Sequence, residues 1–251
     1  MNQQTKPTKP RNMTASAYRL LTLGTLAAFT FTACDDQKKT EDAIVEPAPE
    51  VRSYKEEFED CSALSGKGWV LYNNSSPIGP TGWRQGKFEI RFDSKNGQTV
   101  DGFPAYSPQV SQNDFISCDL NAGTGVATLN AWLVSPVSQL KNGDQFVFWA
   151  RSKGEFADRM QVRANFTNAS ANVGKSATEV GDFTTLLLDV NPTLTTTGFP
   201  AVWTKYTITL ANLPAPIVNG RIAFRYFVTN GGPSGANSDM IGIDAFEFIS
   251  K

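Results

Sequence analysis

From about Tyr54 to Lys251 the chain is a succession of short runs rich in Val, Ile, Phe, Tyr, Trp and Thr, each closed by Gly, Pro, Asn or Ser, and no stretch sustains a helical period. In Ile222-Ala223-Phe224-Arg225-Tyr226-Phe227-Val228 every second side chain is apolar, and Met160, Val162, Ala164 and Phe166 repeat the pattern. Strands are expected at 56–59, 68–73, 88–92, 114–118, 127–134, 145–151, 160–165, 183–189, 206–210, 221–228 and 240–249. About ten such strands in roughly 200 residues predict one all-β domain, an antiparallel jelly-roll β-sandwich. Long connections are expected at 74–87, 94–113, 168–182, 191–202 and 230–239, and connections of that length are where ligands are to be sought. The last of them, Asn230 to Asp239, reads either as a functional loop or as a loose surface turn.

The N-terminus carries a different pattern. Lys6, Lys9, Arg11 and Arg19 form an acid-free basic region ahead of an apolar run from Leu20 to Phe31, too short to span a bilayer. Phe31-Thr32-Ala33-Cys34 then resembles a loose lipobox, so residues 1–33 read as a lipoprotein signal peptide and Cys34 as the lipidated N-terminus. Residues 34–53, charged and with two prolines, read as a flexible tether, leaving 54–251 for the sandwich. Asp35-Asp36 resembles the acidic export signal of surface-exposed lipoproteins in one group of Gram-negative bacteria, and it also reads as a solvated charge run. The expected location is the outer membrane of a Gram-negative bacterium, facing the exterior, with Cys34 as the membrane attachment.

Composition removes whole classes of function. The chain has no His, which excludes a Ser-His-Asp triad, a Cys-His dyad and His-ligated zinc or haem. Removing the four basic residues of the signal from 23 leaves 19 against 24 acidic, so the mature chain carries a net charge of −5 and lacks the basic surface that nucleic acid demands. No phosphate loop or Gly-x-Ser-x-Gly elbow is present, and the expectation is a binding protein; a carboxylate-based glycosidase that needs no His is the enzymatic alternative.

The order of several motifs is more specific than any one of them. Phe58-Glu59-Asp60, Gly68-Trp69, Gly82-Trp83, Trp132-Leu133-Val134-Ser135-Pro136, Asp158-Arg159-Met160-Gln161-Val162, Trp203-Thr204, Gly220 to Tyr226 and Ile241-Gly242-Ile243-Asp244 follow one another in this sequence. Together they resemble the choice-of-anchor J domain, related to cleaved-adhesin domains and more distantly to MAM domains. The resemblance implies a jelly-roll sandwich on secreted or anchored proteins, a role in adhesion or binding and, in some relatives, calcium. The full cysteine set of MAM domains is missing.

Candidate site residues follow. Trp83, Arg84 and Tyr106 lie in polar, Gly/Pro-rich segments, where an exposed ring stacks on the apolar face of a sugar or instead anchors its own loop. Trp132, Trp149 and Trp203 are expected in the core. Glu59 and Asp244 are the expected calcium carboxylates, with two solvated or salt-bridged side chains as the alternative. Cys61 and Cys118 either pair in a disulfide or remain separate thiols. The expected ligand is an extracellular glycan or protein, and a structural subunit of an outer-membrane complex is the alternative role.

Overall fold

A computed structural model describes residues 53–251 except 95 and 96. The expected signal peptide, Cys34 and all of the tether but Ser53 lie outside the described residues. Fifteen strands follow in order: β1 (Tyr54–Glu56), β2 (Val70–Asn73), β3 (Ser76–Ile78), β4 (Arg84–Gln85), β5 (Phe88–Asp93), β6 (Gly97–Gly102), β7 (Ile116–Asp119), β8 (Gly123–Val134), β9 (Ser138–Leu140), β10 (Gln145–Ser152), β11 (Met160–Asn165), β12 (Thr185–Val190), β13 (Thr204–Thr209), β14 (Val218–Gly231) and β15 (Met240–Ile249). One sheet runs β13-β10-β15-β7-β4 with β1 added beside β15; the other runs β12-β11-β14-β8-β2. The pairings within both sheets are antiparallel. Counting β7, β8 and β10 to β15 as eight strands, the first, eighth, third and sixth lie side by side in one sheet. The second, seventh, fourth and fifth lie side by side in the other, which is jelly-roll winding.

Period-2 alternation builds the core. Phe146, Phe148 and Ala150 of β10 and Ile241 and Ile243 of β15 face Leu129, Leu133, Phe224 and Tyr226 of the opposite sheet. Phe224 sits edge-on to both Phe148, at 4.9 Å between centroids, and Phe246, at 5.9 Å. Strict alternation along β15 would turn Phe246 and Phe248 outward. A bulge between its Asp244 and Glu247 pairings, with Ala245 at φ 47°, resets the phase, so that both rings point inward.

Strands β3, β4, β6 and β9 fall in segments expected to be connections or left unassigned. They are only two to six residues long, and three of them pair along one side only with β8, β7 or β14. The segment 230–239 is a tight, bonded turn and not a loose one: Gly232 N–H donates to Ser238 Oγ at 2.9 Å, and Ser234 N–H to Gly125 O at 3.0 Å.

Trp132 is buried, but on the outer face of β8, where Val173 and Phe183 of the 168–183 segment cover it. Arg225, beside it, is buried with no carboxylate bonded to it. Its guanidinium is satisfied by Asn130 Oδ1, Gln161 Oε1 and the Ala177 and Glu179 carbonyls, and burial pushes its pKa down to about 9. Trp149 and Trp203 correct the expectation of core burial: both are half-buried on the outer face of the first sheet. Of the two readings for Cys61 and Cys118, the structure has separate thiols and not a disulfide: both are free. Cys118 points from β7 into the space between the sheets, while Cys61 opens a 3₁₀ turn (Cys61–Lys67) at the rim.

The carboxyl of Asp158 lies wholly inside. Asp158 accepts from Tyr226 Oη at 2.5 Å and from Asp239 N–H at 3.0 Å through Oδ1, while its Oδ2 has no hydrogen-bond partner. Burial raises its pKa to about 7 against the pull of the Tyr226 hydrogen bond, and burial likewise raises Asp239 and Asp244 to about 6. A carboxyl with a raised folded-state pKa holds its proton more tightly in the fold. That contribution is complete below about pH 4 and is lost as pH rises through the folded values. The urea midpoint is therefore expected to fall from pH 5 to pH 8, with a shallower fall in Asp158→Asn. A midpoint that rises over this window contradicts the assignment.

Candidate binding site

The outer face of the first sheet is set by the phase of β10. With Phe146, Phe148 and Ala150 inward, Val147, Trp149 and Arg151 project outward. Trp149 has Lys205 of β13 as its cross-strand neighbour on one side and Asp244 of β15 on the other. On β13 the exposed Lys205, Thr207 and Thr209 alternate with Tyr206 and Ile208, which pack on the core.

The segment from Phe103 to Phe115 lies over this face, held by rings and by one carboxylate. Phe103 stacks on Phe115 at 5.1 Å, and Trp203 meets both edge-on at 5.5 and 5.6 Å. Gly242 lets these rings approach the strand: a Cβ there would stand 2.8 Å from the Phe103 ring and 2.9 Å from that of Phe115. Trp203 Nε1–H donates to Pro104 O at 2.8 Å. Asp244, fully buried, accepts from the backbone N–H groups of Tyr106 at 2.8 Å and Ser107 at 3.0 Å through Oδ2, and from Ala245 N–H at 2.7 Å through Oδ1. A second carboxylate, Asp114, gathers Gln109, Val110 and Ser111 N–H at 2.9, 2.5 and 2.7 Å.

This scaffold sets the Tyr106 ring flat on Trp149, with centroids 3.8 Å apart and planes inclined by 18°. Tyr106 remains 41% exposed, so a stacked aromatic pair is presented to solvent beside Lys205. Flat aromatic surface with polar neighbours suits the C–H face of a sugar ring, with hydroxyls directed to the polar groups.

The three residues expected to bind ligand do not converge. Trp83 is 5% exposed and belongs to the core between the sheets, so its ring anchors its own loop and offers no face to a sugar. Arg84 pairs with Asp119 at the end of the sandwich. Tyr106 alone shows an open ring. Trp149, missed as a surface residue, was legible in the alternation of Phe146, Phe148 and Ala150, which puts position 149 on the opposite face.

The expected calcium pair is corrected as well. Glu59 is exposed, and the carboxylate that acts on Asp244 is Glu57, which meets it across Ser107. Three of the four lone pairs of Asp244 are taken by backbone N–H donors, and among the described residues no three of His, Cys, Asp and Glu form a group that could hold a metal. Calcium takes six to eight oxygens, so this donor set does not fit it.

Asp244→Ala would leave the Tyr106 and Ser107 N–H groups unpaired, and a loss of about 2–4 kcal/mol in urea unfolding is expected. An unchanged midpoint would remove Asp244 as the tie. Chelation by EDTA is expected to leave the melting temperature unchanged, and a fall of several degrees would establish a metal site that these donors do not account for.

No family model and no curated protein matches the chain. Among solved structures it is similar to the K1 cleaved adhesin domain of Lys-gingipain from Porphyromonas gingivalis W83, at 19% identity over 80% of this chain and 99% of that one, with a TM-score of 0.46. It is similar to the K2 cleaved adhesin domain of Lys-gingipain, at 16% identity over 79% and 98%, with a TM-score of 0.46. It is also similar to TmCBM61, solved in complex with beta-1,4-galactotriose, at 10% identity over 75% and 94%, with a TM-score of 0.38.

Proposed function

We propose that the chain is a surface-anchored lipoprotein whose sandwich binds an extracellular glycan on the outer face of the β13-β10-β15-β7 sheet. The observation that carries this reading is the Tyr106 ring, open on one side and backed by Trp149 at 3.8 Å. Holding the ring in place before binding reduces the ordering entropy that binding must overcome. Lys205 and Thr207, exposed on the next strand, supply hydrogen-bond partners for sugar hydroxyls. The anchoring rests on the sequence: the basic region, the apolar run and Cys34 place a lipid ahead of a charged tether, and the lipid holds the domain at the outer membrane. The role is binding, and no catalytic step is assigned.

A second reading, a subunit of an outer-membrane assembly, is favoured by hairpin β5–β6. Its strands pair with each other at Ile90↔Val100 and Phe92↔Gln98, and they expose Ile90, Val100 and Phe92, the last by 81%. Apolar side chains on a two-stranded hairpin suit contact with another protein.

On a panel of plant and host polysaccharides, the full chain is expected to bind at least one, and Tyr106→Ala to weaken that binding tenfold or more, about 1.4 kcal/mol, with a melting temperature lowered by no more than a few degrees for the lost stacking. Trp83→Phe, a substitution in the core, is expected to leave affinity unaltered. Silence across the panel, or binding indifferent to Tyr106→Ala, would transfer support to the assembly reading.

A further inference from the structure

One arginine on the Tyr106 face is bonded unlike the others. Among the described residues, carboxylates answer the terminal nitrogens of Arg84, Arg91 and Arg159, and side-chain or backbone oxygens answer those of Arg163, Arg221 and Arg225. The guanidinium of Arg151 makes a single hydrogen bond, from Nε to Ser152 O at 3.2 Å. Neither Nη1 nor Nη2 meets an acceptor, and both remain open to solvent. The group is nonetheless held in place, because it lies over the Phe103 ring at 4.3 Å. Burial lowers its pKa, and no carboxylate opposes that shift.

Its position ties it to the exposed ring. Arg151 follows Trp149 by two residues on the outward side of β10, about 6.6 Å along the strand. The Phe103 ring beneath it meets Trp203 edge-on at 5.5 Å, and Trp203 meets Tyr106 at 6.5 Å, so guanidinium and open ring share one continuous aromatic surface. On the next strand Lys205 lies opposite Trp149, exposed and without an ion pair among the described residues. Arg151 and Lys205 are therefore diagonal neighbours across β10 and β13, about 7–8 Å apart.

The carboxylates of this face keep to its other side. Strands β1 and β10 pair with opposite edges of β15, so Glu57, which follows β1, is separated from Arg151 by the width of β15. Asp244 is fully buried and its oxygens accept from three backbone N–H groups, and Glu247 pairs with Lys55 at 3.4 Å. An anion on the β10–β13 side of the Tyr106 ring meets two unpaired cations. The two free ends of a guanidinium form a planar fork that matches two oxygens of a carboxylate or sulfate, and a half-buried fork is already partly stripped of water, which strengthens the pairing. A neutral hydroxyl leaves one end of the fork unused.

Resting on the glycan reading of the Tyr106 surface, we infer that the glycan is acidic: the chain stacked on Tyr106 carries an anionic group, a uronate carboxylate or a sulfate ester, that Arg151 receives at Nη1 and Nη2 with Lys205 beside it.

The test is a calorimetric titration of the full chain with oligosaccharides of galacturonate, mannuronate and κ-carrageenan, each beside its neutral counterpart, methyl-esterified or desulfated. At least one acidic oligosaccharide is expected to bind about tenfold or more tighter than its neutral counterpart, about 1.4 kcal/mol, and the uronate and sulfate arms identify the anion. Arg151→Met, which keeps an apolar stem over Phe103, is expected to reduce that preference to about threefold or less, and Arg151→Lys to keep more of it. Lys205→Met is expected to reduce it by a smaller factor, and because Lys205 is exposed this variant guards against a folding defect. Tyr106→Ala is expected to weaken both forms alike. Equal or tighter binding of the neutral forms, still weakened by Tyr106→Ala, would overturn the acidic ligand and leave the glycan reading standing. A preference that survives both Arg151→Met and Lys205→Met would overturn it as well, because the charge is then recognised elsewhere. Binding of none of the acidic forms also overturns it, whereas the glycan reading falls only with silence across the whole polysaccharide panel.

Discussion

The carboxylate of Asp244 is the point on which the outer face of the first sheet depends. It sits in the bulge of β15, where the extra residue switches the strand from one inward phase to the next, and its own Ala245 N–H closes the bulge. The two donors it takes from Tyr106 and Ser107 bind the 103–115 segment to the sheet. One side chain therefore couples core packing, through Phe246 and Phe248, to the placement of an exposed ring. Its cost is visible in the raised pKa of about 6, because burial outweighs three backbone hydrogen bonds.

The same economy recurs around the sandwich. Long connections are held by buried polar groups as well as by apolar contact. Asp114 gathers three backbone donors of its own loop, Arg225 holds two carbonyls of the 168–183 segment, and Asn191 donates to the Asp158 and Thr195 carbonyls. Loops tied in this way are rigid enough to carry binding surfaces. The Asp158–Tyr226 pair runs the same device through the core to the backbone of Asp239.

The alternation of Ile222, Phe224, Tyr226 and Val228, and of Met160, Val162 and Ala164, announces strands that are paired along both edges. What stayed hidden has physical reasons. Strands β3 and β4 are too short to show a period, and β6 pairs only with β5, so its Gln98, Thr99 and Asp101 carry no buried stripe. Glu57, half-buried, lies near enough to Asp244 to act on its charge while Glu59 is exposed, and between them the chain turns at Phe58, whose φ is 55°. By contrast, the outward position of Trp149 was readable from its neighbours, and the general tendency of Trp toward burial obscured it.

The account stands or falls on whether a sugar meets the Tyr106–Trp149 pair. The most direct measurement is an NMR titration of the ¹⁵N-labelled full chain with a soluble oligosaccharide that it binds, following the backbone amides of Tyr106 and Ser107 and the indole N–H groups of Trp149 and Trp132. Saturable shifts at Tyr106, Ser107 and Trp149, with Trp132 unmoved beneath its covering segment, are the predicted result. Saturation of binding with the Tyr106, Ser107 and Trp149 signals in place would contradict it.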